Sequence, residues 1–234
     1  LTSDEERETF KPPEWLKAMV SKGILGDKSG GGFYKKTRAG GAEGEKEILA
    51  LDLKTFEYRP QQKVRFESLG AAKNVESLPE RIATVLAGTD KAAKFAEKVT
   101  LETLAYASRR LPEIADDTVN VDRALRWGFG WELGPFETWD AYGVKKGVDR
   151  MKALGLEVAP WVEEMLASGR QRFYATDGNA DTHWDLESKK AAKVPRRSRN
   201  VTVEVLKRGN KARLENESAS LRDMTAAPSL PASR

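Results

Sequence analysis

The sequence predicts a mainly α protein, on three observations. Apolar residues recur at helical spacing through most of the chain, and proline and glycine stand at the starts and ends of those runs. Alternating, strand-like stretches are few. The 234 residues contain no cysteine and a single histidine, so disulfides, thiolate metal sites and most histidine-based proton-transfer constellations are excluded.

Phe10, Trp15, Leu16, Met19 and Val20 share one helical face, with Pro12 and Pro13 at its start and Gly23 at its end. Glu47 to Arg59 alternates well enough for a hairpin around Leu53-Lys54. Ser77-Leu78-Pro79-Glu80 reads as a capping box opening a helix to Gly88. Asp90 caps a longer helix carrying Ala92, Phe95, Ala96, Val99, Leu104 and Leu111, stopped by Pro112. Asp116 or Asp117 opens the next, through Val121, Ala124, Leu125 and Trp127 to Gly128. Pro135 starts a short helix with Phe136 and Trp139. Val144, Val148, Met151 and Leu154 form another before Gly155, and Pro160 to Gly169 forms the last. Val201, Val203 and Val205 alternate ahead of a Gly209-Asn210 turn. Burial of Trp127, Trp131, Phe136, Trp139, Trp161 and Phe173 is expected to supply most of the stability, about 2 kcal/mol each.

A repeat is visible. Trp15-Leu16 to Gly23 matches Trp161-Val162 to Gly169 in its Trp, aliphatic, Met and Gly positions, and each copy then reaches a Phe-Tyr pair, Phe33-Tyr34 and Phe173-Tyr174. On this basis residues 1–36 are the end of a first helical domain whose start would lie upstream. Residues 37–75 are a hairpin and linker, 76–178 a complete second helical domain, 179–200 a basic linker, and 201–234 a truncated start of a further domain with a disordered end.

The net charge of +4 is uneven: residues 1–188 hold 28 basic and 32 acidic side chains, residues 189–234 hold 12 and 4. The basic cluster Lys189, Lys190, Lys193, Arg196, Arg197 and Arg199 lacks interleaved aromatics for base stacking and reads as solvated linker; contact with nucleic acid is the alternative. No apolar run is long enough to span a membrane, and the absence of cysteine fits a cytoplasmic setting.

Gly26-Asp27-Lys28-Ser29-Gly30-Gly31-Gly32 lacks the glycine that a phosphate loop needs directly before Lys-Ser, and Asp27 would repel an anion. It reads as a tight turn, or as a loop presenting Lys28 to an anionic ligand, the one substrate-binding candidate. No Gly-x-Gly-x-x-Gly stands between a strand and a helix. Trp127 to Asp140 reads as a core turn leading into a proline-started helix, or as the wall of an acyl pocket. Glu113, Asp116 and Asp117 cap a helix more simply than they pair for catalysis. His183 lies in the expected linker and reads as a surface histidine.

The stretches Leu25–Lys36 (LGDKSGGGFYKK) and Pro112–Val144 (PEIADDTVNVDRALRWGFGWELGPFETWDAYGV) resemble the helical C-terminal domains of the 3-hydroxyacyl-CoA dehydrogenase family, a resemblance covering about residues 10–178. Asn216 to Asp223 is similar to the opening of an enoyl-CoA hydratase domain in fused bacterial proteins of this type. After Met224 the expected Gly-Asp-Gly strand is absent, which points to truncation or a frame error. The resemblance implies a fold like the C-terminal domain of 6-phosphogluconate dehydrogenase, with short β-hairpins in the flanking segments. It further implies a β-oxidation step in which NAD takes hydride from C3 of a 3-hydroxyacyl-CoA, while a histidine held by a glutamate removes the hydroxyl proton. The family carries those groups in an upstream Rossmann domain, and its assisting asparagine is upstream too, so no catalytic, cofactor-binding or metal residue transfers to this chain. The partners implied are that Rossmann domain, an acyl-CoA thioester and a homo-oligomer. A stand-alone interaction or dimerisation module without catalysis is the competing reading.

Overall fold

The computed structural model describes residues 3–38, 45–177 and 180–195, with the backbone of 214–215 and 220–221. The chain divides into two compact units, Leu1–Val64 and Arg65–Arg234. The architecture is mainly α, with eight helices and short antiparallel strands among the described residues. No described helix is long and apolar enough to cross a membrane.

In the first unit, α1 (Glu14–Ser21) follows Pro13 and ends before Gly23, whose φ of 73° suits a residue without a Cβ. A 3-10 turn, Asp27–Ser29, leads into β1 (Tyr34–Arg38), which pairs antiparallel with β2 (Lys46–Leu51), and β2 pairs with β3 (Tyr58–Pro60). The expected hairpin is present: Asp52 Oδ1 accepts the Lys54 and Thr55 amides at 2.9 and 3.3 Å and shapes the turn. The third strand, β1, falls where the sequence offers only polar residues, Lys35 to Arg38, on an exposed edge.

The second unit opens with α2 (Glu67–Ala72) and α3 (Leu78–Leu86). Ser77 stands at the N-cap of α3, but its side chain makes no capping bond. Its ψ of 118° differs from the 175° and 166° of Asp90 and Asp117, both of which do cap. Asp90 accepts from the Ala93 amide at 2.9 Å to open α4 (Lys91–Arg109) and also binds the Ser68 amide and hydroxyl at 2.8 and 2.9 Å, tying α2 to α4. The buried stripe of α4 is Ala93, Leu101, Leu104, Ala105 and Ser108. Phe95 and Val99, expected on that face, are exposed, because the stripe runs through 97, 101 and 104–105, one side of them.

Asp117 caps α5 (Thr118–Phe129) through the Asn120 amide at 2.7 Å. The helix passes through Gly128 and closes on Gly130, in the left-handed region at φ 70°. Then come α6 (Pro135–Tyr142), α7 (Val144–Ala153) and α8 (Pro160–Ala167). Phe136, Trp139 and Phe173 are fully buried at the centre of the core, with ring centroids of Phe136 and Trp139 5.1 and 5.3 Å from Phe173. Trp161 packs against this cluster and donates its indole N–H to the Ser108 carbonyl at 3.0 Å. Trp127 and Trp131 do not join it; they are 78% and 44% exposed. Trp127 lies five residues beyond the buried Asp122, about 140° around the helix axis, and the Gly130 turn points Trp131 outward too.

The stretch expected as a linker after residue 178 forms two strands. β4 (Tyr174–Asp177) pairs with β5 (Ala180–Asp185), and β5 with β6 (Lys190–Lys193), all antiparallel. Asp185 accepts the Ser188 amide at 2.7 Å at the second turn, where Lys189 adopts φ 51°. His183 is therefore a strand residue, 4% exposed, with Nδ1 3.1 Å from the Trp184 carbonyl. Two short segments, Leu214–Glu215 (β7) and Ser220–Leu221 (β8), pair antiparallel; the Val201 to Val205 run lies outside the described residues.

Candidate functional site

A surface cavity of about 690 Å³ opens where α5, α6 and β4 meet, lined among others by Asp122, Arg123, Arg126, Glu137, Asp140, Arg172 and Tyr174. Its floor is a carboxylate network of residues outside the candidates that the sequence offers. Gly134 stands at the N-cap of α6 without a side chain to offer. Asp122, one layer away on α5, does the capping instead: its two oxygens accept the Phe136 and Glu137 amides at 2.8 and 3.1 Å. The close approach needs glycine at 134, since a Cβ there would lie 2.4 Å from the Asp122 Cα. Glu137 reaches back to the Gly134 amide at 2.8 Å and pairs with Arg126 at 2.9 Å.

Tyr174 donates its hydroxyl to Asp122 at 2.7 Å, linking β4 to α5. Burial pushes Asp122 up to about 7, against the lowering by Tyr174 and the backbone amides. Burial likewise pushes the Tyr174 phenol up. Asp140, at the end of the same motif, accepts the Phe173 and Tyr174 amides at 2.8 and 2.9 Å, and burial lifts it to about 6. On the far side of α6, Tyr142 and Arg150 both donate to Glu97, the guanidinium through two bonds of 3.1 and 3.0 Å.

A carboxyl near 7 has the right acidity for proton transfer at neutral pH. Asp122 is nevertheless 2% exposed, with both oxygens already accepting from three donors. The arrangement fastens α5, α6 and β4 together; it presents no reacting atom to the cavity. The arginines are engaged as well: Arg123 donates to the Pro195 carbonyl and stacks over Trp127, and Arg172 lies 3.8 Å from Asp140.

The residues named from sequence are scattered. Lys28 is exposed on the 3-10 turn of the first unit, beside Asp27, which is held by Lys36 at 2.8 Å. Gly26 and Gly30 take φ of 138° and 90°, and a Cβ on Gly31 would lie 2.4 Å from the Tyr58 hydroxyl, so the glycines are accounted for by the turn. Glu113 pairs with Arg110 at 2.8 Å, and Asp116 is exposed. Lys189 pairs with Glu164 at 2.7 Å, while Lys190 and Lys193 lie on β6; Arg196, Arg197 and Arg199 are outside the described residues. No group of three or more His, Asp or Glu side chains suited to a metal occurs among the described residues. The missed residues did carry a signal: Asp122 sits on the apolar stripe of α5 with Val119 and Leu125, and Asp140 beside Trp139 on that of α6.

No family model matches the chain, and no solved structure matches it significantly. Three curated proteins do. Over 220 residues, or 94% of the chain, it is 35% identical to a Bacillus subtilis (strain 168) protein named "Probable 3-hydroxyacyl-CoA dehydrogenase". The chain is homologous to a segment of 3-hydroxyacyl-CoA dehydrogenase. It spans 27% of that relative's length. Fatty acid oxidation complex trifunctional enzymes, so named, of Rickettsia prowazekii (strain Madrid E) and Rickettsia felis (strain ATCC VR-1525 / URRWXCal2) match 58% and 52% of the chain at 25% and 26% identity. The chain covers 17% and 15% of these two. NAD, implied by the dehydrogenase resemblance, does not fit the described residues of this segment. Their sheets are antiparallel, without the strand, glycine turn and helix that cradle a pyrophosphate, and the N-termini of α4, α5 and α6 are each taken by a carboxylate, Asp90, Asp117 and Asp122.

Proposed function

We propose that this chain is the helical packing part of an NAD-dependent 3-hydroxyacyl-CoA dehydrogenase of cytoplasmic fatty-acid β-oxidation. The observation that carries the reading is the 35% identity to the Bacillus protein over 94% of the chain. In this reading hydride transfer and proton removal belong to a nucleotide-binding domain elsewhere in the full-length protein. The helices around Phe136, Trp139 and Phe173 pack beneath that domain and form part of the wall that closes over the acyl-CoA thioester. Residues 76–178 are the complete helical domain of this reading, and Lys28 is its candidate contact with the anionic part of the substrate.

The test joins residues 1–234 to the nucleotide-binding part of the Bacillus relative and follows NADH absorbance with 3-hydroxybutyryl-CoA. Turnover is expected from the fusion and none from the 234-residue chain alone. The reading is overturned if a correctly folded fusion stays inactive, or if deleting residues 65–195 leaves its rate unchanged.

A further inference from the structure

The two copies of the repeat correspond well beyond the residues that revealed them. Each is a helix of eight residues, α1 or α8, followed by a left-handed glycine, a Phe-Tyr pair and a three-stranded antiparallel sheet. Trp15 meets Phe33 edge-on at 6.0 Å and 64°, as Trp161 meets Phe173 at 5.6 Å and 60°. The Leu51 amide donates to the Phe33 carbonyl at 2.9 Å, as the Trp184 amide donates to the Phe173 carbonyl at 2.9 Å. Tyr34 lies opposite Ala50, and Tyr174 opposite His183, both in non-hydrogen-bonded pairs on an edge strand. The amide of each tyrosine therefore points out of its sheet.

What differs is the cover. In the second copy α6 lies over this face: Phe136 and Trp139 close on Phe173, and Asp140 accepts the Phe173 and Tyr174 amides. The Trp161 indole finds the Ser108 carbonyl. In the first copy Trp15 is 38% and Phe33 49% exposed, against full burial of Phe173, and Val20 is 58% exposed where its counterpart Leu166 packs on the core.

We propose that the Trp15–Phe33 face is a docking surface for a helix of the α6 kind, supplied by another helical layer of the full-length protein. Its chemistry is set by the second copy: a Gly-Pro start, two aromatic side chains three residues apart, and an aspartate directly after the second. The aromatics close over Phe33, and the carboxylate takes the outward Tyr34 amide. This deepens the packing role proposed above, and its test reads binding alone, so either can fail without the other.

The ¹⁵N-labelled 234-residue chain is titrated with a side-chain-linked helical peptide of Gly134–Gly143, its helicity checked beforehand. The Tyr34 amide and Trp15 indole resonances are expected to shift and saturate. A peptide with Asp140→Asn should bind about tenfold more weakly, the loss of charge-assisted bonds. Phe33→Ala or Trp15→Ala in the chain should abolish the shifts while the β1–β2 amides keep their dispersion. Unmoved Tyr34 and Trp15 signals at millimolar peptide, or equal binding of the Asp140→Asn peptide, overturn the proposal. So does concentration-dependent movement of those signals without peptide, which would make a second copy the occupant.

Discussion

Replacing Asp122 by asparagine separates the two things its carboxylate does. The native group is lifted from 3.8 to about 7, mainly by burial. Between those values the folded chain holds a proton that the unfolded chain has released, so stability falls as pH rises. The contribution is fully present below 3.8 and gone once pH has passed through about 7. Taking the step from about pH 5 to about pH 8, linkage assigns Asp122 a loss of about 2–3 kcal/mol. Asp140, lifted to about 6, adds roughly 1 kcal/mol of the same sign and is unaffected by the substitution. Asparagine does not titrate and keeps one oxygen for the α6 amides, at a cost of about 1–2 kcal/mol for the bonds it cannot reproduce. Urea unfolding followed by tryptophan fluorescence at both pH values measures this, with an unchanged m-value showing that the same transition is compared. The variant is expected to lose most of the pH dependence and to be less stable than wild type at pH 5. A pH dependence identical to wild type, or a wild-type chain that gains stability from pH 5 to pH 8, refutes the assignment.

Three further outcomes follow from the same geometry. Gly147→Ala places a Cβ 2.2 Å from the Trp139 indole nitrogen, so it should cost about 1–3 kcal/mol in unfolding experiments and shift the tryptophan emission. Phe136→Ala should cost about 3–5 kcal/mol, whereas Trp127→Ala, on the exposed face of α5, should stay within about 0.5 kcal/mol by the same measurement. Tyr174→Phe removes the hydroxyl that holds Asp122 down; the pH at which stability falls should move upward, with about 1 kcal/mol lost at neutral pH.

Helix placement was readable because its punctuation is local. Asp90 and Asp117 each cap a helix start with their own side chain, and Pro135 and Pro160 each stand at a first helical position; only α6 also draws its cap from a distant residue, Asp122. Ser77 shows the limit: a capping-box sequence forms the bond only if the backbone ψ aims the hydroxyl at the amide. The face each helix buries is less local. Phe95, Val99, Trp127 and Trp131 are apolar and well spaced, yet their exposure depends on which neighbours arrive, and spacing is silent about that. The β4–β6 sheet was hidden by charge at its end. Asp177-Gly178-Asn179 is a hairpin-turn sequence between two short runs, but Lys189, Lys190 and Lys193 made the region look like linker. Asp122 and Asp140 are marked in the sequence only by lying on apolar stripes, and which carboxylate on such a stripe is buried depends on the elements that pack over it.

In the motif that resembles the dehydrogenase family, Trp127, Phe129 and Trp131 are exposed, but the Gly134–Asp140 part is taken up by contacts within the fold. In Gly134-Pro135-Phe136-Glu137-Thr138-Trp139-Asp140, the glycine makes room for Asp122, and the proline begins α6. Phe136 and Trp139 are fully buried, Glu137 closes the cap on Gly134, and Asp140 holds the Phe173 and Tyr174 amides at the start of β4. These contacts put Phe136 and Trp139 in the core, as the core-turn reading of the stretch expects of them. Such a motif is specific because nearly every side chain answers to a partner on a different element: α5, α8 or β4. It identifies a way of joining helices to a sheet. The Trp15–Phe33 face is built to the same pattern but has no such helix over it among the described residues, which is why a partner is to be sought there.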